Sequence, residues 1–318
     1  MLLSWNRATT LLLLAAVAAA GHCWAAEPAN DERLPNQQSN RGVLIVTEGK
    51  PEVYVDMPKH YDVGSPSISP DGKWIAFDAN TIGRHVVRES WLVGVDGKGL
   101  RKLCDGAAPR WFPDGKRLLV TRDSDGHSNI RTTSDIFEIQ LPGGKERKLC
   151  AGRFGDWSPD GKQLVFARQG DATYNGGTHW DSRLFIAKAD GSEAQELANG
   201  DWPSWSPDGK MIAFCRHEGT APPTILVIDL ATKQRKRLGA GFYRPQWAAD
   251  SKSLVAKGLM LTEDGGGVLA MPTRFWLAKD RLDFFFLDRD NPWSPCLSRD
   301  GRTVVAITDS AGHKTGDE

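Results

Sequence analysis

Three arginines occupy one position of a sequence unit that recurs along this chain. Arg122, Arg168 and Arg216 each lie eight residues after an aspartate in a tight-turn motif. Guanidinium groups bind carboxylates and phosphates through paired hydrogen bonds. The spacing therefore predicts that these arginines share one face and bind an anionic ligand or a protein partner. Replacing Arg122 and Arg168 by alanine is expected to abolish this binding with little effect on thermal stability.

Histidines and aromatic residues fall in or near the loops that follow these positions. The additional candidate binding residues are His85, His127, His179, His217, Tyr174 and Trp180. Imidazole changes charge near neutral pH and is a common metal ligand. The alternative is that each arginine pairs with a nearby acid, such as Asp123, Asp171 or Glu218, or faces water.

The sequence lacks the known signatures of catalysis. It has no G-x-S-x-G nucleophile elbow, no H-E-x-x-H motif, no phosphate-binding loop and no dinucleotide fingerprint. We therefore assign no catalytic residue, no metal ligand and no cofactor, with a divalent cation in a central channel as the alternative. Whether the chain is an enzyme stays open, and a non-enzymatic role is favoured.

The turn motif itself defines the elements that position these residues. Its aspartates are separated by 43, 46, 48, 42 and 50 residues. In Pro-Asp-Gly the proline presets φ, the aspartate bonds the local backbone and the glycine accepts a positive φ, so a structural role is expected for the aspartate. The six turn aspartates are Asp71, Asp114, Asp160, Asp208, Asp250 and Asp300.

Each unit contains apolar runs and turns that predict four β-strands. Four strands at this period are typical of a β-propeller blade, so the chain is predicted to be all-β with six four-stranded antiparallel blades. The last unit supplies only two strands, and the apolar runs at 43–46 and 53–55 are expected to complete that blade. The tryptophans three residues before the turn aspartates are expected to pack between blades, with sugar stacking as the alternative. These are Trp111, Trp157, Trp205 and Trp247.

The phrase Trp-Ser-Pro-Asp-Gly-Lys-Met-Ile-Ala-Phe at 205–214 resembles the WD40-like (PD40) repeat of the TolB-like propellers. The resemblance covers about residues 42–310 and implies a six-bladed propeller with a role in the cell envelope. The extra α/β domain of TolB is not expected between the leader and residue 42. Nor is the hydrolase domain of the prolyl-peptidase relatives expected after the sixth blade.

The amino-terminal segment has the pattern of a secretory signal peptide. Arg7 precedes an apolar run that is shorter than the roughly 20 residues of a membrane span, and Ala25 lies at a suitable cleavage position. We predict a signal peptide at 1–26, a flexible leader at 27–41, the propeller at 42–310 and a tail at 311–318. The mature protein is expected in the periplasm or outside the cell, without stable membrane insertion.

The charge balance limits the classes of partner that the protein can bind. With 40 basic and 40 acidic residues the net charge is zero, which argues against nucleic-acid binding.

Four cysteines follow the predicted cleavage site, and they are expected to be buried small apolar residues, although an oxidising compartment would permit disulfides. These are Cys104, Cys150, Cys215 and Cys296. The fifth repeat is irregular at 259–275, and its role stays open.

These observations favour an exported binding module that mediates protein–protein or anionic-ligand interactions in the cell envelope, and we expect a monomer. The alternative is a lyase, dependent on a metal or on His and Arg side chains, that acts on anionic oligosaccharides. Such an enzyme needs a base within reach of its substrate, and His127 or His179 would be that base.

Overall fold

The computed structural model describes residues 2–6, 41–57, 60–81, 87–123, 134–169, 182–218, 221–261, 268–278, 281–285 and 293–309. Regular structure in these ranges consists of β-strands alone. None of the described segments is a helix of the length and apolarity that crossing a membrane requires.

The strands form six antiparallel sheets, which are the blades of a β-propeller. Blade one contains β4 (His60–Ile68), β5 (Trp74–Thr81), β6 (Arg88–Gly94) and β7 (Arg101–Asp105). Blade two contains β8 (Ala107–Trp111), β9 (Arg117–Asp123), β10 (Ser134–Gln140) and β11 (Lys145–Ala151). Blade three contains β12 (Arg153–Trp157), β13 (Gln163–Gln169), β14 (Ser182–Lys188) and β15 (Gln195–Asn199).

The remaining blades follow the same order. Blade four contains β16 (Asp201–Trp205), β17 (Met211–Glu218), β18 (Ala221–Asp229) and β19 (Arg235–Ala240). Blade five contains β20 (Phe242–Trp247), β21 (Ser253–Leu261), β22 (Val268–Trp276) and β23 (Arg281–Phe285). Blade six contains β24 (Trp293–Leu297), β25 (Thr303–Asp309), β2 (Arg41–Thr47) and β3 (Val53–Asp56). The predicted architecture of six four-stranded blades is confirmed.

Blade six joins the two ends of the propeller. Strand β2 pairs with β25 over seven residues, from Arg41 opposite Asp309 to Thr47 opposite Thr303. The amino-terminal strands therefore complete the last blade, as the sequence predicts. The two ends of the propeller are thus joined within one sheet, in which β25 is paired on both sides.

An aspartate holds the turn between the first two strands of each blade, and in blades one, three, four and six a serine two residues earlier donates to it. In blade one, Ser69 Oγ donates to Asp71 Oδ1 over 2.6 Å, and the amide of Lys73 donates to the same oxygen over 3.1 Å. Gly72 has a φ of +71°, which an L-residue adopts only at a cost. The other turn aspartates also accept the amide two residues later. These contacts are those of a turn residue.

Apolar side chains fill the spaces between blades. Phe77, Phe166, Phe214 and Phe275 lie in the middle of the sheets and are fully buried. The repeated tryptophans bridge neighbouring blades, as in Trp111, whose Nε1 donates to the Ser67 carbonyl over 3.0 Å. Such burial is the main source of stability in a sheet protein.

Two features depart from the regular pattern. Residues Leu2–Asn6 form strand β1, which pairs antiparallel with β23 as a fifth strand of blade five. This strand lies inside the segment predicted to be a signal peptide, and cleavage near Ala25 would remove it. The irregular fifth repeat nevertheless builds a blade, because β21 and β22 pair through nine residues of each strand.

The four cysteines are not joined by disulfides. Cys104, Cys215 and Cys296 are buried and Cys150 is partly buried. Burial raises the pKa of Cys104 and Cys150 to about 11 and that of Cys215 and Cys296 to about 12. All four are therefore protonated, unreactive thiols at neutral pH.

Candidate functional site: the central channel

The six innermost strands surround the propeller axis, and each contains the same backbone irregularity. These strands are β4, β8, β12, β16, β20 and β24, and each contacts the next around the ring. Each of them pairs with the second strand of its blade through a register shift. A non-glycine residue with positive φ lies at each shift, six residues before the turn aspartate. We call these residues the bulge ring: Ser65, Ala108, Phe154, Trp202, Arg244 and Ser294.

The bulge ring is held in a costly conformation. Its φ values run from 46° to 54°, a region that costs a non-glycine residue about 1–3 kcal/mol. Side chains of the preceding blade compensate in two cases. The amide of Ala108 donates to Asp78 over 2.8 Å, and the amide of Phe154 donates to Thr121 over 3.0 Å. These hydrogen bonds help to hold Ala108 and Phe154 in this conformation.

At the level of this ring, three large side chains stack. The rings of Phe154 and Trp202 lie 3.5 Å apart at an interplanar angle of 17°. The Arg244 guanidinium lies over the Trp202 ring, with its Cζ atom 4.2 Å from the ring centroid. Arg244 Nη1 also lies 3.3 Å from Ser294 Oγ and 3.5 Å from Ser65 Oγ. Because these contacts join blades three to six and blade one, the stack spans the axis.

A buried ion pair lies next to the bulge ring. Each of its two residues directly precedes a bulge-ring residue in the sequence, on the side of the loops between the second and third strands. Arg153 and Asp201 are 2 % and 3 % exposed, and Arg153 Nη2 lies 2.9 Å from Asp201 Oδ2. Arg153 Nη2 also lies 2.6 Å from Ser182 Oγ. The pair ties blade three to blade four.

His217 is the one predicted histidine that falls in the described part of the chain. It lies near the ion pair, with its ring centroid 6.4 Å from that of Tyr243. Burial lowers the pKa of His217, while Asp201 opposes this shift and Arg153 adds to it. The neutral imidazole is therefore the form that this environment favours.

Two residues from the bulge ring toward the turns, the inner strands have a second ring of equivalent positions, of which Cys296 is packed in the apolar core between blades six and one. We call it the turn-end ring: Ser67, Arg110, Asp156, Ser204, Gln246 and Cys296. Gln246 of blade five reaches across blade six and donates to the Pro66 carbonyl of blade one over 3.1 Å. This contact shows how narrow the channel is at that level.

Asp156 is the acidic residue of the turn-end ring. Its Oδ2 accepts the amide of Trp205 over 2.8 Å and its Oδ1 accepts the amide of Trp157 over 3.0 Å. Burial raises the pKa of Asp156, and the positive charge of Arg110 opposes that shift. The carboxylate serves as a tether between blades three and four.

Two of the predicted arginines, Arg122 and Arg168, contact the preceding blade. Arg122 Nε donates to the Asp105 carbonyl over 2.6 Å, and both of its terminal nitrogens lie 2.6 Å from the Glu146 carboxylate. Arg168 Nε donates to the Ala151 carbonyl over 3.0 Å. Asp105 and Ala151 are the last residues of the outer strands of the preceding blades.

These contacts match the structural alternative for Arg122 and Arg168, since each guanidinium links two blades. The acid that pairs with Arg122 is Glu146 and not the neighbouring Asp123. These contacts lead us to expect that Arg122→Ala lowers stability, in contrast to the expectation from the sequence. Arg216 occupies the same position of the repeat and pairs with Thr224 in the sheet register.

The other predicted binding residues lie outside the described residues. These are His85, His127, His179, Tyr174 and Trp180. Within the described ranges, no three His, Cys, Asp or Glu side chains converge in a way that could hold a metal ion. The assignment of a ligand to that loop face stays a prediction.

Sequence reasoning missed both rings of the channel. Arg110, Asp156 and Gln246 are polar residues four positions before the turn aspartate of their repeats. Aligning the six repeats on their turns would have shown this polar position.

Comparison with known proteins identifies the fold. No family model matches the chain. The chain is similar to the structure of a putative TolB from Agrobacterium tumefaciens, with a TM-score of 0.58, 17 % identity, and coverage of 85 % of this chain and 98 % of that one. It is also similar to TolB from Acinetobacter baumannii, with a TM-score of 0.55, 15 % identity, and coverage of 87 % and 65 %. The fold is that of a TolB-like β-propeller.

A curated relative is similar in sequence to part of the chain. Dipeptidyl-peptidase 5 from Porphyromonas endodontalis is 28 % identical over 148 residues, which are 43 % of this chain and 20 % of that protein. The match to each of the two curated relatives spans about a fifth of the relative's length. The similarity to the Acinetobacter TolB likewise covers less than two thirds of that chain.

Proposed function

We propose that this protein is an exported β-propeller that binds a protein partner or an anionic ligand in the cell envelope. The proposal is supported by the TolB-like fold and by the predicted signal peptide, from which we infer a periplasmic or extracellular location. Propellers host many unrelated functions, so the fold alone does not decide between them. The residues of the central channel provide the further support for a binding role.

The observation that carries the proposal is the convergence of six repeats on one axis. The bulge ring uses a strained backbone to direct side chains inward, and strained residues of this kind cluster at functional sites. Charged, aromatic and hydroxyl side chains meet there on rigid inner strands. A rigid scaffold lowers the entropic cost of binding because few side chains must be ordered.

Site-specific photo-crosslinking in the host cell tests this proposal. A photoreactive amino acid is placed at Lys116, an exposed turn residue at one end of the channel, and separately at Val87, beside the loops at the other end. The control position is Glu196, which is exposed on the outer strand β15. We expect a crosslinked adduct from one channel end, a processed amino terminus near Ala25, and no adduct from Glu196.

Equal adduct formation at all three positions, or none at any, would contradict a partner site at the channel, and an unprocessed leader would contradict export. The lyase alternative has its own measurement. Incubation with polygalacturonate and detection of an unsaturated product by ultraviolet absorbance would favour the enzyme over the binding module.

A further inference from the structure

The outer edge of blade five is paired with an additional strand. Strand β1 adds to β23 in the antiparallel direction over five residues, from Leu2 opposite Phe285 to Asn6 opposite Arg281. Within the described parts of the chain, the other five sheets have four strands each. The edge of β23 therefore accepts the main-chain hydrogen bonds of an added strand.

The added strand belongs to the segment that export is expected to remove. Residues 2–6 lie within the signal peptide predicted at 1–26, so cleavage near Ala25 would leave β23 without this neighbour. An outermost strand without a neighbour presents a row of unpaired amide and carbonyl groups, which is a template for another strand. The processed protein would therefore have an open site at the position that β1 occupies in the full chain.

The outer strands of the other blades carry exposed charged side chains, which discourage the addition of a foreign strand. Examples, one from each of these strands, are Lys102, Lys145, Glu196, Arg235 and Asp56. In β23, by contrast, the carboxylate of Asp283 is held inside the blade, since it is 3 % exposed and accepts the Nε1 hydrogen of Trp276 over 2.7 Å. The acidic residue of β23 thus does not protect its edge.

The sequence of β1 indicates the chemistry of a segment that fits this edge. Residues 2–6 read Leu-Leu-Ser-Trp-Asn and contain neither a charged residue nor a proline. The leader after the predicted cleavage site is a poorer candidate, because residues 27–40 contain four charged residues and two prolines, and proline cannot donate to a sheet. In strand addition, main-chain hydrogen bonds supply the affinity and alternate side chains supply the specificity.

We propose that the outer edge of β23 in the processed protein binds an uncharged, extended segment of a partner protein, which becomes the fifth antiparallel strand of blade five. This inference rests on the export in the proposed function, because removal of the signal peptide uncovers the edge, and it is independent of the central channel. The partner contributes an extended stretch of the length over which β1 pairs, five residues. The edge is thus an interaction surface separate from the channel.

A peptide with the sequence of β1 tests the proposal on the processed protein purified from the envelope. The probe is fluorescein-labelled Leu-Leu-Ser-Trp-Asn followed by two lysines for solubility, and its affinity is measured by fluorescence anisotropy. Two further peptides carry N-methyl groups on alternate residues, in the two possible phases. Because alternate amides of a strand face the same neighbour, we expect one phase to weaken binding by about tenfold or more and the other to leave it nearly unchanged.

Two measurements locate the complex. Hydrogen exchange followed by mass spectrometry should show that the peptide protects Arg281–Phe285 and does not protect the charged outer strand Arg101–Asp105. The unprocessed full chain, produced in the cytoplasm, should bind the peptide about tenfold more weakly or less, because β1 already occupies the edge. The N-methylated peptides and the exchange data need only the processed protein, so poor solubility of the unprocessed chain does not remove the test.

Equal binding of the two N-methylated peptides, equal binding by the processed and unprocessed chains, or protection away from β23 would overturn the proposal. Protection of β23 in the processed protein without peptide would overturn it as well. A dimer in light scattering would then assign the edge to a second copy, and a monomer would assign it to the leader. An unprocessed amino terminus would contradict the proposed export, whereas a processed protein that does not bind the peptide contradicts this inference alone.

Discussion

The Arg153–Asp201 ion pair provides a quantitative test of how the inner strands are held together. Both residues are almost fully buried, at 2 % and 3 % exposed, so removing one charge leaves the other without compensation. Breaking a buried pair in this way costs about 3–5 kcal/mol. In Asp201→Asn the amide oxygen can still accept the hydrogen bond from the Trp202 amide, which is 2.9 Å long in the parent. We therefore expect a loss of about 3 kcal/mol in the free energy of unfolding.

The matched control is an ion pair of similar length on the surface. Arg183 and Glu196 lie 3.1 Å apart with side chains 46 % and 45 % exposed. Water screens this pair, so Glu196→Gln is expected to cost less than about 1 kcal/mol. Arg153→Met combined with Asp201→Asn is expected to recover part of the loss of Asp201→Asn, because no buried charge remains.

Urea unfolding followed by tryptophan fluorescence measures all four proteins under one condition. The midpoint and the slope together give the free energy of unfolding, and an unchanged slope shows that the variants unfold as the parent does. If Asp201→Asn and Glu196→Gln lose the same free energy, burial does not govern the strength of this pair and the reasoning is refuted.

Three further outcomes follow from contacts described above. Arg122→Ala is expected to lower the free energy of unfolding by about 1–2 kcal/mol, because its charged hydrogen bonds link two blades at a partly exposed site; an unchanged urea midpoint would contradict this. Since burial holds the pKa of His217 below its usual 6.5, the neutral ring stabilises the fold above that pH, and this contribution is lost as the pH falls through the folded-state pKa. His217→Gln should therefore make the urea midpoint depend less on pH below pH 6.5. An unaltered pH dependence would show that His217 is not the cause of it. Gly161→Ala and Gly301→Ala introduce a side chain at almost the same φ, +69° and +72°. The new Cβ would lie 2.4 Å from Phe112 at the first site and meets nothing within 4 Å at the second. Thermal melting should show the first variant to be less stable by a further 1–3 kcal/mol or so, and equal melting temperatures would show that Phe112 moves aside freely.

Much of the fold follows from local chemistry that the sequence displays. The Pro-Asp-Gly turns fix the start of each hairpin, and their spacing fixes the number of strands between them. The join between β2 and β25 was predictable because the last repeat ends two strands short. Strand β1 was not, because its residues have the composition of an export signal and gain a partner only in the folded blade.

The channel was harder to predict because its contacts are long-range. Arg153 and Asp201 are 48 residues apart, and nothing near either one in the sequence indicates the other. The positive φ of Phe154 and Trp202 is imposed by the inner-strand bulge, whereas sequence reasoning expects that conformation of glycine. The ion pair of Arg122 was hard to predict for a similar reason, since its partner Glu146 lies two strands away.

The bulge ring separates the shape of the channel from its chemistry. At all six sites the main chain makes the inward turn, and the residues that make it include serine, alanine, phenylalanine, tryptophan and arginine. A substitution at any of these sites changes the side chain that lines the axis, while the surrounding hydrogen bonds keep their geometry. Relatives with this backbone can therefore acquire different ligands through a handful of exchanges, and a designer could treat the same six positions as an adjustable lining inside a constant frame.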